Sequence, residues 1–335
     1  GSSSANSKEA KERSRSISNN TNSSNNNTEK EPQSKENKGG SSEPMVSSIV
    51  EVPLEVRSQS SGEVVTVGIG NFGVKSVIEF FKEISLEHGL VQGSRPSQHI
   101  QEPFLNFAKK YFEEKESSHI ARSLLVDHPG DALNLSQKVE VLNKGNIFQL
   151  EGTNNGLMCN YRDTNLDSLS DSLKKITEKC DRLEGFLVLA DVVEGVGAGI
   201  SGLLSEGMCA DYGKKIKSLN AAYRRDISKL SDSELYNLTL TYANQIDHYD
   251  MISYYCKDKL SSLAETLNFS GENAINKTYS RIHSDLTAVE RFSSTGNNTL
   301  NKLYTHLIPY PRIHFFTANY STGSCISEAI KNLFE

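Results

Sequence analysis

Apolar residues are spread unevenly along this chain. From Gly1 to Pro44 the sequence is almost entirely Ser, Asn, Lys and Glu, with Ile17 as the one large aliphatic residue. Such a segment cannot bury enough apolar surface to offset chain entropy, so residues 1–60 are expected to form a disordered tail. Beyond it the pattern changes. Glu63–Ile69 (EVVTVGI) is short, β-branched and bounded by Gly62 and Gly70, which predicts a buried strand. Val74–His88 places Val74, Val77, Ile78, Phe81 and Ile84 at helical spacing and stops at Gly89. Gln101–Glu114 reads as a second amphipathic segment. Ser123–Val126 and Asn146–Leu150 read as further strands, and Thr164–Leu183 has helical spacing. Gly185–Ala190 is a fourth strand, followed by a loop, Asp191–Gly199, and a helix, Ile200–Met208. Strands that alternate with helices predict an α/β domain with a mostly parallel sheet covered on both faces.

The second half reads as more helical. Helices are expected at Asp232–Gln245, Met251–Leu267 and Ala274–Phe292, the last with Ile275, Tyr279, Ile282, Leu286 and Val289 on one stripe. Thr299–Leu307 is a short helix that ends before Pro309. Arg312–Thr317 is a strand, and Ile326–Phe334 a last helix.

Composition narrows the function. The 335 residues carry 36 basic and 42 acidic side chains, a formal net charge of −6. The tail balances its charges, so the acidic surplus lies in the folded part, and a basic nucleic-acid binder is excluded. Cys159, Cys180, Cys209, Cys256 and Cys325 are odd in number and show no CxxC spacing, which disfavours a disulfide scaffold or a zinc site and suits a reducing cytosol. No signal peptide is visible, although the chain starts at Gly1 rather than Met. Gly185–Leu204 approaches the length of a membrane span. Asp191 and Glu194 lie near its centre and would each cost roughly 2.5–3.5 kcal/mol there, so no membrane partner is expected.

In an open parallel sheet, ligands bind at the carboxyl ends of the strands. Four loops are expected there: Gly70-Asn71-Phe72-Gly73, Asp127-His128-Pro129-Gly130, Gly152-Thr153-Asn154-Asn155-Gly156 and Gly195-Val196-Gly197-Ala198-Gly199. Alternating glycines let backbone N–H groups close on an anion, and a following helix N-terminus adds a favourable partial charge. The last loop matches neither GxxxxGK[ST] nor the six-residue GxGxxG fingerprint, and alone it is as well read as a tight turn. Four such loops in this order point to phosphate binding.

Several strings then coincide. EISLEHG (Glu83–Gly89), ARSLLVDHPG (Ala121–Gly130), TNNGLMCNY (Thr153–Tyr161), CDRLEGFLVL (Cys180–Leu189) and above all LIPYPRIHFF (Leu307–Phe316) resemble the tubulin family's EVISDEHG, PRAxxVDLEPG, GNNWAKGHY, CDCLQGFQLT and [LV]VPYPRIHF. The resemblance spans about Val64 to Glu335. It implies a Rossmann-like, tubulin-type GTPase domain at 61–292, ending in a long core helix, and the beginning of a second, intermediate α/β domain at 293–335. The family binds GTP or GDP, polymerises head to tail and hydrolyses GTP at the joint between subunits. The resemblance therefore implies a cytoplasmic, cytoskeletal protein whose partners are tubulin-like subunits, itself or the alpha and beta types.

The family's phosphate signature GGGTGSG falls on Val193–Gly199. Gly195, Gly197 and Gly199 are kept, and Val196 and Ala198 replace its hydroxyl residues. Gly70 and Gly73 match the opening loop. Asn71 stands for the Gln beside the phosphates, and Lys75 for a second Gln near the base. Asp127 matches the family Asp of its loop, but the Glu that supports the magnesium shell has no counterpart, so Mg²⁺ is left in doubt. Asn154 and Asn155 match the pair near the terminal phosphate. Glu234 matches a Glu near the ribose, and Asn276 the Asn that reads the guanine edge. Glu272 replaces the aromatic residue that stacks on the base, and Lys259 aligns with the other base-reading Asn.

The catalytic loop is the poorest match. Ser294–Thr299 keeps Asn297 but loses the family Gly and Asp, the latter to Thr299. Lys302 stands where the alpha-type subunit carries its water-positioning Glu. These departures imply a weakened nucleotide site and little hydrolysis of the protein's own. The family also continues for roughly a hundred residues past the position of Glu335, so a fragment or a reduced, C-terminally truncated member is expected. Two alternatives stay open: a nucleotide-free scaffold of the same fold, and an active GTPase completed by a partner subunit.

Overall fold

The computed structural model describes residues 62–91, 95–97, 106–116, 118–152, 156–224, 226–292, 299–310, 312–318, 320–321, 323 and 325–334. The expected tail at 1–60, the Asn154–Asn155 pair and the catalytic loop from Ser294 to Asn298 lie outside the described residues.

The strands are β1 (Glu63–Ile69), β2 (Leu90–Val91), β3 (Arg95–Pro96), β4 (Phe112–Lys115), β5 (Ser118–Ala121), β6 (Ser123–Asp127), β7 (Ile147–Gln149), β8 (Leu183–Asp191), β9 (Ile216–Tyr223), β10 (Met251–Cys256) and β11 (Phe315–Thr317). The helices are α1 (Gly70–Glu87), α2 (Asp131–Ser136), α3 (Leu157–Asp163), α4 (Leu166–Thr177), α5 (Gly195–Asp211), α6 (Asp232–His248), α7 (Lys257–Thr266), α8 (Ala274–Arg291), α9 (Leu300–Leu307) and α10 (Ile326–Phe334). Seven strands form one parallel sheet in the order β11-β10-β9-β8-β1-β6-β7. The chain starts in the middle, builds outward through β6 and β7, then returns to the other side of β1 and builds through β8 to β11. The order therefore reverses between β1 and β8, the place where open α/β sheets bind ligands.

Alternation along each strand feeds two cores. Val64, Leu187, Leu189, Ala222 and Tyr255 face a cluster with α1, α2, α7 and α8. Val65, Val67, Ile69, Phe186, Val188, Leu219 and Ile252 face the other side, against Leu169 and Leu173 of α4, Ile200 and Leu204 of α5 and Leu238 of α6. The expected α/β sheet with helices on both faces is what forms. Among the described residues no helix is long and apolar enough to cross a membrane, and the suspect run Gly185–Leu204 is divided between β8 and α5. All five cysteines are free.

Several expected elements are corrected. Gln101–Glu114 is not one helix: its described part holds a helical turn at 106–108 and then β4, which pairs with β5 in an antiparallel hairpin. Thr164–Leu183 gives way to α4 and the start of β8. Met251–Leu267 is a strand followed by a helix, and β9 is an added strand. The stripe on α8 splits, with Tyr279 and Ile282 buried but Leu286 and Val289 more than half exposed. The buried side of α8 is instead largely polar, with Asn276, Ser280, His283, Ser284, Thr287 and Arg291. The strand expected at Arg312–Thr317 shortens to β11 and pairs with β10, so residues expected to open a second domain supply this sheet's edge.

Two histidines of this packing give the fold an acid limit. Burial holds His88 and His283 neutral down to about pH 3, and Arg291 adds to the effect at His88. In the unfolded chain each takes up a proton near its ordinary 6.5. The unfolded state therefore binds more protons below that value, and acid favours it. Each histidine is expected to cost about 2 kcal/mol between pH 7 and pH 5. Asp127 acts in the opposite sense: its carboxyl is raised from 3.8 to about 6, so protonation there favours the folded state and offsets about 1 kcal/mol. Urea melts at pH 7 and pH 5 check the sum. Glu194 and Glu290, also raised by burial, act in the same sense as Asp127, and equal stability at both would show that the imidazoles do not dominate the acid response.

Candidate functional site

The crevice at the switch point is built from the ends of β1 and β8. Gly70 leaves β1 with φ +70°, a backbone that side chains other than glycine rarely adopt. A Cβ placed on it would lie 3.4 Å from the Gly197 amide nitrogen and 3.6 Å from Val196. The two glycine segments, distant in sequence, thus stand against each other.

Neither segment is a loop, which corrects the expectation. Gly70–Gly73 forms the first turn of α1, and Gly195–Gly199 the first turn and more of α5. The glycines serve helix–strand approach. A Cβ on Gly73 would sit 2.2 Å from the Leu189 carbonyl oxygen, one on Gly197 2.1 Å from that of Asp191, and one on Gly199 2.5 Å from that of Leu157. The N-terminus of the 17-residue α5 still points into the crevice, with Glu194 as its N-cap residue and no side-chain cap.

Charge is concentrated here. Asp191, 2% exposed at the end of β8, accepts the Val193 N–H at 2.9 Å and holds the Lys257 ammonium. Lys257, the first residue of α7, also lies 3.5 Å from Glu194 and 4.7 Å from the centroid of the Phe72 ring. Burial pulls the Lys257 pKa down to about 8, and the Asp191 carboxylate beside it acts the other way, keeping the charge on it. Asp127 accepts the His128 N–H at 2.8 Å. Burial raises its pKa to about 6; the His128 N–H and ring and Lys75 oppose this, and Glu194 adds to it. Burial likewise raises Glu194, with Glu234 adding and Arg224 and Lys75 opposing. His128 Nε2 lies 2.9 Å from Asn160 Oδ1, which ties this loop to α3.

The structure thus brings Gly70, Gly73, Lys75, Asp127 and Gly195–Gly199 to one crevice, with Asn71 exposed at its rim. Lys75 forms a 3.2 Å ion pair with Glu272, so the two residues that depart from the family pattern at the base end meet each other. Asn276 is buried at the start of α8, and its amide donates to the Phe72 carbonyl at 3.1 Å and to Ser76 Oγ at 2.9 Å. Lys259 is exposed on α7, while Lys257, two residues earlier, is the one aimed inward. Neither Lys257 nor Asp191 is marked as a site residue by a sequence motif. The visible signal was a lysine directly after a strand and an acid directly before the glycine run.

Glu234 has a local role. It forms a capping box with Ser231: the Ser231 N–H donates to its carboxylate at 2.8 Å, and Ser231 Oγ accepts the Glu234 N–H at 3.4 Å. Ser231→Ala is expected to cost about 1 kcal/mol of stability, read by urea denaturation. No change would leave Glu234 free of this cap. Thr299 caps α9 by accepting the Lys302 N–H, and the Lys302 side chain is exposed.

The Gly70 and Gly197 backbones approach each other closely, and the N-terminus of the long helix α5 opens beside them, an arrangement of backbone N–H groups suited to an anion. Lys75 is paired with Glu272, and the Asn276 amide is engaged within the chain. Among the described residues no three His, Cys, Asp or Glu side chains group to hold a metal ion.

Comparison with known proteins agrees with this architecture. The model of the Tubulin/FtsZ family, GTPase domain, matches residues 63–265. The tubulin alpha chain of Gibberella zeae is 27% identical over 274 residues, covering 77% of this chain and 60% of that protein. The tubulin alpha chain of Eremothecium gossypii is 29% identical over 278 residues, covering 77% and 61%. The tubulin alpha-4 chain of Drosophila melanogaster reaches 33% identity over 159 residues, covering 47% and 34%. The chain thus spans about 60% of the length of the first two relatives. A seven-stranded parallel sheet, a crevice at its switch point and a family match over most of the ordered core lead to one conclusion: the chain is a divergent member of the Tubulin/FtsZ family.

Proposed function

We propose that this protein is a tubulin-like cytoskeletal subunit that binds GTP or GDP in the crevice between α1 and α5, with weakened affinity and little hydrolysis of its own. The observation that carries the reading is the meeting of Gly70 with Gly197 at the switch point. In this reading Gly70, Asn71, Gly73, Asp127, Asn154, Asn155 and Gly195–Gly199 surround the phosphates, and Lys75, Glu234 and Asn276 the nucleoside. Residues 61–292 form the nucleotide domain, and 293–335 open a second domain while lending β11 to the sheet. The partners are tubulin-like subunits, its own copies or the alpha and beta types, in the cytoplasm.

Weakening follows from the side chains. Val196 and Ala198 bring no hydroxyl, and Glu194 places a carboxylate at the N-cap of α5, where a phosphate would seek positive potential. Each lost charge-assisted hydrogen bond costs roughly 1.5–3 kcal/mol, about tenfold or more in affinity. A second reading, a nucleotide-free scaffold, draws on the Lys75–Glu272 pair and the engaged Asn276 amide. Chromatography of the supernatant from heat-denatured pure protein separates the two. Released guanine nucleotide supports the first. Its absence, with no binding at millimolar GTP, would leave the scaffold.

A further inference from the structure

Lys257 stands at the carboxyl end of β10, and its ammonium is held at the end of β8, with β9 between them. A side chain stretched over a neighbouring strand is fixed at its tip rather than left to solvent, and only 15% of it is exposed. Three partners hold that tip: the buried Asp191 carboxylate, Glu194 at 3.5 Å and the face of Phe72 at 4.7 Å. We propose that Lys257 is the resident counter-cation of the crevice, so that a nucleoside diphosphate enters it free of divalent metal. The proposal rests on the nucleotide reading above.

The carboxylates at the crevice decide the matter. Mg²⁺ requires near-octahedral oxygen ligands and in nucleotide sites uses one or two carboxylates besides phosphates and water. Asp191 has one oxygen on the Val193 N–H and the other on the lysine. Glu194 faces the same ammonium. One oxygen of Asp127 accepts the His128 N–H, and its carboxyl, pressed by burial, resists ionisation. A divalent cation would have to displace the ammonium or stand beside it, against like-charge repulsion. The donor set does not fit Mg²⁺. It does fit a phosphate: an ammonium serves phosphate as a point charge with three donors, and the Glu194 it faces is the N-cap residue of α5.

Calorimetric titration of GDP into the full chain, in EDTA and then in excess Mg²⁺, tests this. The expected dissociation constants agree within about twofold. Lys257→Met alone would leave Asp191 buried and unpaired, so the decisive variant is Lys257→Met with Asp191→Asn, where the amide oxygen still accepts the Val193 N–H. Its affinity in EDTA is expected to fall roughly ten- to hundredfold, the loss of one charge-assisted hydrogen bond. Lys257→Arg is expected to retain metal-independent binding. Tighter binding by the unaltered protein in Mg²⁺ than in EDTA, or undiminished binding by the double variant, overturns the proposal and leaves the nucleotide reading standing. No binding of GDP in either medium overturns both.

Discussion

Gly197→Ala is expected to destabilise the fold by about 3 kcal/mol or more, before any ligand is considered. The new methyl carbon would lie 2.1 Å from the Asp191 carbonyl oxygen and 2.9 Å from its carbon. Both are backbone atoms of β8, so no flexible side chain can move aside. Helix propensity favours the substitution by about 1 kcal/mol, since alanine replaces glycine inside α5. The overlap is the larger effect and sets the sign. Asp191 also holds Lys257, so displacement of its backbone would disturb the charged cluster as well. Gly130→Ala is the control: its added Cβ has only the His128 carbonyl oxygen nearby, at 3.8 Å. Urea denaturation of the two variants should separate them clearly. A Gly197→Ala protein as stable as the parent would show that α5 can shift away from β8. The glycine would then be retained for ligand approach rather than for packing.

Arg291→Met is expected to cost about 3 kcal/mol, the lower end for breaking a buried ion pair by removing one partner. The guanidinium is fully buried where α8 meets the end of α1. It donates to Glu87 at 2.5 Å, to the Ser284 carbonyl at 2.9 Å and to Thr287 Oγ1 at 3.2 Å. Without it the Glu87 carboxylate keeps the Ser284 hydroxyl, at 2.6 Å, and the more distant charge of Arg281. Glu87 retains 26% of its side chain in solvent, which limits the loss. A double variant, Arg291→Met with Glu87→Gln, removes the stranded charge and should recover part of the stability. Equal losses in the single and double variants would mean that packing of the long side chain, not the charge, is what matters.

The central strands β1 and β6 are legible in the sequence for physical reasons. EVVTVGI and SLLVD are β-branched or aliphatic, short and bounded by turn residues. Strands β9 and β10 are hidden. The face of β9 (IKSLNAAY) toward Tyr255 and Tyr279 carries the small or polar Ser218, Asn220 and Ala222, and the Tyr279 hydroxyl donates to the Asn220 carbonyl at 2.7 Å. β10 runs into α7 with no Gly or Pro at Cys256–Lys257, so the two elements read as one helix. The glycine segments read as loops because glycine disfavours helices, yet close approach to β8 outweighs propensity at Gly73 and Gly197. At the site, the glycine pattern was readable. The Lys257–Asp191 pair was not, since it joins residues at the ends of two strands that do not touch.

The central position of β1 sets a timetable for synthesis. Glu63 pairs with Leu183 and Thr66 with Ser123, so this strand leaves the ribosome first and finds its second neighbour last. At about 5–20 residues per second, the wait for β8 is on the order of ten seconds. Throughout it, one edge of a strand that ends fully buried stays open to other chains. Yield in a cell should therefore depend on translation speed between β6 and β8 as much as on the stability of the finished domain.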